Sequence, residues 1–142
     1  MEKNKLSPGQ KAKRTGQWAK IMTKWKISHS IKGKNKWQYV SFEGPNGGES
    51  KGIVDFIAIR RNHNPKELSF PMGDLFEIIL IQVKGGNACM PTQDDINRLI
   101  KVGKYYCAKR ILLSEWKIGN SLIFKELING DWIVISASEA FS

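Results

Sequence analysis

Two short apolar runs constrain the fold of this chain more than any other feature of its sequence. They are GIVDFIAI, residues 52–59, and EIILIQV, residues 77–83. Each has the length of a β-strand, and each is apolar on both of its alternating sides. A strand of that composition is covered on both faces, as happens when helices pack on the two sides of a sheet. We therefore expect a layered α/β architecture.

The remaining segments predict the other elements of such a domain. In chain order the prediction is a helix over 10–27, strands over 36–44, 52–61 and 74–84, a helix after Thr92, a strand over 110–116, and a hairpin of 121–127 and 131–136 around Asn129-Gly130. The first three strands are expected to be antiparallel. The strand–helix–strand step from 74 to 116 implies a parallel crossover. The predicted fold is a mixed sheet with helices on its faces.

The first helix carries an apolar stripe whose partner has to be inferred. Trp18, Ile21, Met22 and Trp25 fall at i, i+3, i+4 and i+7, which is one helical face. We expect this face to pack against the sheet, since two tryptophans and a methionine suit burial. A helix lying on a membrane surface is the alternative.

Positive charge is concentrated at one end of the chain. The net charge of the 142 residues is +10, and residues 1–36 hold eleven Lys or Arg and a single acid, Glu2. Such a block attracts polyanions, of which nucleic acid is the commonest in cytoplasm, although a solubilising tail is an alternative. We expect a basic arm over 1–9 and a single domain over 10–142. Without a secretory signal, a membrane span or ligand-spaced cysteines, a cytoplasmic protein is expected, with no membrane partner.

Three polar residues lie within or directly after the two apolar runs. Gln82 and Lys84 are two apart and therefore project from the same face of their strand, and Asp55 is the one acid in the preceding run. If the two strands are neighbours, these groups converge. A carboxylate and an amide oxygen suit Mg²⁺ or Mn²⁺. Each residue also has its own alternative. Asp55 could be a structural acid paired with Lys84. Lys84 could instead reach solvent, and Gln82 could satisfy a nearby backbone group.

This arrangement resembles the signature of the PD-(D/E)xK nuclease superfamily, in which an acid on one strand is followed by an acid-x-Lys on the next. Here Val54-Asp55 precedes Gln82-Val83-Lys84, so Val replaces the usual Pro and Gln replaces the second acid. A Gln-x-Lys version occurs in Mrr-like restriction endonucleases. The resemblance implies a restriction-endonuclease-like fold and Mg²⁺-dependent hydrolysis of phosphodiester bonds, with DNA favoured over RNA.

The same resemblance implies roles for individual residues. Asp55, the side-chain oxygen of Gln82 and the Val83 carbonyl would bind the metal, and Lys84 would orient the attacking water. Glu43 or Glu49 could supply the acid that Gln82 lacks. Residues expected to contact nucleic acid are Lys11, Lys13, Arg14, Lys20, Lys51, Arg60 and Arg61, with Trp37 available to stack on bases.

Several functional alternatives stay open at this level. The chain has no room for a separate target-recognition domain, which favours a structure-selective or weakly specific nuclease, or the catalytic partner of a larger assembly. A homodimer would place two sites on two strands, as in many relatives. The protein could also be a nuclease-fold module that binds nucleic acid without cleaving it, a reading that Gln82 favours. A protein-interaction domain with a solubilising arm is the third hypothesis.

Overall fold

A six-stranded mixed sheet with three helices makes up the part of the chain that the computed structural model describes, residues 5–30, 36–42, 53–62 and 75–142. The elements are α1 (Pro8–His29), β1 (Gln38–Ser41), β2 (Phe56–Asn62), β3 (Leu75–Gly85), α2 (Gln93–Tyr105), β4 (Arg110–Trp116), β5 (Ile123–Ile128), β6 (Asp131–Ile135) and α3 (Ala137–Ala140). The predicted mixed α/β architecture is confirmed. Residues 43–52, between β1 and β2, and residues 63–74, between β2 and β3, lie outside the described residues.

The strands lie in the sheet in the order in which they occur along the chain. Strand β2 pairs antiparallel with both β1 and β3, and β5 pairs antiparallel with both β4 and β6. Among the described strands, β3 and β4 are the one parallel pair, and α2 lies between them in the sequence, so the predicted crossover is confirmed. The register places Phe56 opposite Ile81.

Each face of the sheet has its own hydrophobic cluster. Ile81 and Phe56 belong to one cluster, together with Ile27 of α1. Leu80 and Ile57, one residue away in each strand, belong to the other cluster, with Leu99 of α2. Because neighbouring residues of a strand point to opposite faces, this division explains why both apolar runs lack polar alternation.

Capping residues account for the helix boundaries. Helix α1 begins at Pro8 because the Ser7 side chain accepts from the Gln10 backbone N–H while the Gln10 side chain accepts from that of Ser7. Helix α2 begins after Thr92, as predicted, with a matching pair of bonds between Thr92 and Asp95. The short α3 was not predicted, although Ser136 caps it in the same way.

The prediction for the packing face of α1 is wrong. Trp18, Ile21 and Trp25 are 44%, 50% and 53% exposed, so the large apolar side chains face outward. The buried residues of α1 are the small or medium-sized Thr15, Ala19, Thr23 and Ile27. Within the described ranges, no helix is both long enough and apolar enough to cross a membrane.

Small residues line the inner face of α1 because its backbone passes very close to the end of β3. A Cβ added at Gly85 would stand 2.9 Å from the carbonyl oxygen of Thr15 and 3.1 Å from the Cα of Gly16. Further along the helix, the buried hydroxyls of Thr23 and Ser114 are hydrogen-bonded at 2.7 Å. A large side chain on this face would force α1 away from β3 and β4.

We expect Gly85→Ala to destabilise the protein by about 1–3 kcal/mol, the range for overpacking, because the added methyl meets helix backbone rather than a flexible side chain. The matched control is Gly16→Ala, since a Cβ at Gly16 would meet nothing within 4 Å. That change should stabilise the helix by about 0.5–1 kcal/mol. Urea unfolding monitored by circular dichroism measures both variants, and equal stabilities for the two would contradict the close contact.

Candidate functional site

Asp55 lies where β2 begins and where its regular pairing with β3 ends. The Asp55 backbone N–H donates to the Ile81 carbonyl at 3.0 Å, yet the register already places Phe56 opposite Ile81. Two residues on one strand therefore oppose one residue on the other, which is the pattern of a β-bulge. Bulges redirect side chains, and this one lies at the point where the two strands separate.

The Asp55 carboxylate bridges β3 and α1. Its Oδ2 accepts a hydrogen bond from the Val83 backbone N–H at 2.7 Å, and its Oδ1 lies 3.6 Å from Nζ of Lys20 on α1. Because strand N–H groups point within the sheet toward the neighbouring strand, the first contact places the carboxylate beside β3 at Val83. The lysine that pairs with Asp55 is Lys20, whereas the structural alternative had assigned Lys84 to that role.

Gln82 contributes a buried oxygen that lacks a donor. The residue is 5% exposed, and its Oε1 accepts no hydrogen bond in the described part of the chain. Leaving a buried acceptor unpaired costs about 1–3 kcal/mol, so this oxygen is expected to have a partner such as a water or a cation. The alternative in which Gln82 satisfies a neighbouring backbone group does not require this oxygen, and it stays a prediction.

Asp55 and Gln82 carry the kinds of oxygen atom that bind magnesium. Asp55 supplies a carboxylate and Gln82 an orphaned amide oxygen, and Mg²⁺ uses few protein ligands of this kind while it keeps several waters. Among the described residues, no three His, Cys, Asp or Glu side chains come together as a metal group. Glu43 and Glu49, the predicted additional acids, lie outside the described residues.

Lys84 lies at the end of β3, half-buried, on the face that Gln82 and Leu80 share through strand alternation. The pKa of Asp95 at the start of α2 is lowered, mainly by the hydrogen bond from the Thr92 backbone, and the charge of Lys84 contributes to this shift. Lys84 thus lies between the end of the sheet and the N-terminus of α2. The side chain of Glu115, its neighbour in β4, is paired with Lys125 at 2.9 Å.

The four candidate side chains extend over both sides of the sheet, with Lys20 on the α1 side and Gln82 and Lys84 on the α2 side, and together they carry one net positive charge. Asp55 is negative, Lys20 and Lys84 are positive, and Gln82 is neutral. A phosphate is attracted by such a balance, while a divalent cation is held less strongly than by two carboxylates. The sequence offered no signal for the approach of Lys20 to Asp55, because it depends on how α1 packs against the sheet.

Four of the other residues predicted to contact nucleic acid lie on the surface. Lys11, Lys13 and Arg14 are exposed on the first turns of α1, and Arg61 is exposed on β2. Lys51 lies outside the described residues.

Arg60 and Trp37 belong to the fold rather than to an open surface. The Arg60 guanidinium lies 4.3 Å from the Trp37 ring centroid and is hydrogen-bonded to Glu77. Burial raises the pKa of Glu77, but its contacts with Arg60 and Lys109 outweigh this and leave the pKa below its usual value. Trp37 is 2% exposed and donates to the Phe141 carbonyl at 2.7 Å, so the suggestion that it stacks on bases is wrong.

Comparisons with protein-family models, with curated proteins and with solved structures found no match to this chain. The assignment to the PD-(D/E)xK superfamily thus stays a prediction that rests on Asp55, Gln82 and Lys84.

We expect Asp55→Ala to destabilise the fold by about 1–2 kcal/mol, because it leaves the Val83 N–H without its acceptor. Asp55→Asn is the matched variant, since its side-chain carbonyl can still accept that bond while the charge is lost, and it should be less destabilised. Urea unfolding of the two variants tests this. Equal losses would show that the charge, rather than the hydrogen bond, stabilises this end of β3.

Proposed function

We propose that this protein is a Mg²⁺-dependent nuclease with a restriction-endonuclease-like fold that hydrolyses phosphodiester bonds in nucleic acid. The observation that carries the proposal is the buried Oε1 of Gln82, which accepts no hydrogen bond from the described residues and belongs to the residue next to Val83, whose N–H donates to the Asp55 carboxylate. A purely structural Asp–Lys pair leaves that oxygen unexplained, whereas a cation-binding site gives it a partner.

The residues present suggest a division of roles. Asp55, Gln82 Oε1 and the Val83 carbonyl would hold the Mg²⁺, or Mn²⁺ in its place. When bound, this ion supplies Lewis-acid stabilisation of the phosphate and increases the acidity of a coordinated water. Lys84 would orient the attacking water and stabilise the negative charge that develops at the phosphate. Lys20, which contacts Asp55, would attract the phosphate.

Nucleic acid is supported as the substrate by the charge of the neighbouring helix. Helix α1 carries six Lys or Arg and no acid along its 22 residues, and Lys20 connects it directly to Asp55. A polyanion that followed this helix would arrive at the candidate site. The family resemblance alone favours DNA over RNA. We also propose a cytoplasmic location and a homodimer.

Cleavage assays with linear duplex, single-stranded and branched oligonucleotides in Mg²⁺ or Mn²⁺ test the proposal. We expect Asp55→Ala and Lys84→Ala each to reduce cleavage at least about a hundredfold, as removal of a charge-stabilising group typically does, while binding is retained. Asp94→Ala and Lys101→Ala, which remove the same two residue types from exposed positions of α2, are the controls. Unaltered cleavage by either site variant would refute the assigned roles.

A nucleic-acid-binding module without catalysis is the second candidate, favoured by the neutral Gln82 and by Lys20 beside Asp55. Mn²⁺ titration followed by electron paramagnetic resonance separates the two. If the site binds metal, Gln82→Glu should tighten Mn²⁺ binding about tenfold or more, because it adds a charged ligand. If neither form binds Mn²⁺, and oligonucleotides bind equally well in EDTA without being cut, the module is the correct description.

A further inference from the structure

The outer surface of α1 has large aromatic residues where a helix packed on a sheet normally has polar ones. Trp18, Ile21 and Trp25 are about half exposed. Their burial is not needed for the fold, since Thr15, Ala19 and Thr23 form the inner face. Exposed tryptophans grouped on one helix face indicate a binding surface.

Helical spacing arranges this outer surface into two parallel rows. One row runs through Arg14, Trp18, Ile21 and Trp25, at i, i+4, i+7 and i+11, and we call it the aromatic row. The other row, one position earlier at every step, runs through Lys13, Gln17, Lys20 and Lys24, and we call it the cationic row. The two rows are about 100° apart around the helix axis.

The cationic row leads to the candidate site. Lys20 Nζ lies 3.6 Å from Asp55 Oδ1, and Lys24 Nζ lies 5.1 Å from the ring centroid of Phe56, the residue that follows Asp55. A ligand whose charged side follows this row would therefore run toward Asp55, at the start of β2.

We propose that the two rows bind an unpaired strand of nucleic acid, with its phosphates along the cationic row and its bases stacked on Trp18 and Trp25. Charge complementarity identifies a polyanion, since α1 carries six Lys or Arg and no acid. The aromatic row identifies unpaired bases, because the faces of bases inside a duplex are covered by their neighbours and cannot stack on a protein ring. Trp18 and Trp25 lie about 10 Å apart along the axis, which leaves room for a base at each. His29 stacks on the Trp25 ring with the ring centroids 4.6 Å apart, so a base would stack on the other face of that ring.

This inference rests on the proposed function and names its substrate class, a nucleic acid with a single-stranded segment beside the bond that is cut. An anionic membrane is disfavoured by Arg14, which lies in line with the aromatic row. A helix at a lipid surface keeps its charges on the face opposite its apolar residues.

Fluorescence anisotropy in EDTA, with a labelled twenty-nucleotide thymidine strand and a duplex of equal length, tests the proposal without any cleavage. The double variant Trp18→Ala/Trp25→Ala keeps every charge on α1. We expect it to bind the single strand at least about tenfold more weakly, given the usual loss for each stacked base, and the duplex within about twofold of the wild type.

Two further variants separate stacking from bulk and from general surface effects. Trp18→Phe/Trp25→Phe should recover part of the affinity, whereas Trp18→Leu/Trp25→Leu, which keeps apolar volume without a ring, should not. Tyr105→Ala removes a highly exposed aromatic from α2 and should bind both ligands as the wild type does. Circular dichroism confirms that the variants are folded.

Each contrary result overturns the proposal. Equal weakening toward single strand and duplex would indicate a loss of general affinity, and unchanged single-strand binding would remove the role of the tryptophans. If the double variant instead loses binding to phosphatidylserine vesicles and keeps its oligonucleotide affinity, the surface is a membrane contact. Failure of the proposed function is recognised separately, as an absence of cleavage by a wild-type protein that still prefers single strands.

Discussion

The close approach of α1 to the end of β3 is the contact on which the rest of this structure depends. It requires Gly85, whose missing Cβ leaves room for the Thr15 carbonyl, and the buried Thr23–Ser114 hydrogen bond accompanies it on β4. With small residues facing inward, the tryptophans of α1 must face outward. The same placement brings Lys20 to Asp55. One packing contact therefore determines both the charge at the candidate site and the character of the surface beside it.

The positive charge of Lys20 has opposite effects on the two ligands of the proposed site, a divalent cation and a phosphate. A divalent cation between Asp55 and Gln82 would favour negative surroundings, whereas a phosphate backbone favours the positive charge that α1 provides. Because Gln82 is neutral, Asp55 is the one negative charge among the four candidate side chains. Under the proposed function, the site would depend on nucleic acid and metal arriving together, each offsetting the charge of the other. Under the binding-module alternative, the positive charge alone would suffice.

The strands and α2 could be predicted because their signals are local. The apolar runs, the Thr92 cap and the Asn129-Gly130 turn each act over a few residues, and both turn residues adopt the positive φ that the hairpin needs. The face of α1 could not be predicted in this way. Hydrophobic periodicity identifies the most apolar stripe, but here the distance between helix and sheet selects for small side chains instead. The adjacency of Asp55 and Gln82 followed from strand order, while the partner of Asp55 did not.

The sequence by itself determined which segments become strands and helices, their order, the coverage of β2 and β3 on both faces, and the positions of Asp55, Gln82 and Lys84 along their strands. These properties follow from periodicity and from hydrogen bonds between near neighbours. Only the tertiary structure decided that Trp18 and Trp25 face outward, that a bulge directs Asp55 toward Lys20, and that Gln82 Oε1 is buried without a donor. Those outcomes depend on distances between groups far apart in the chain, which are set when the layers pack.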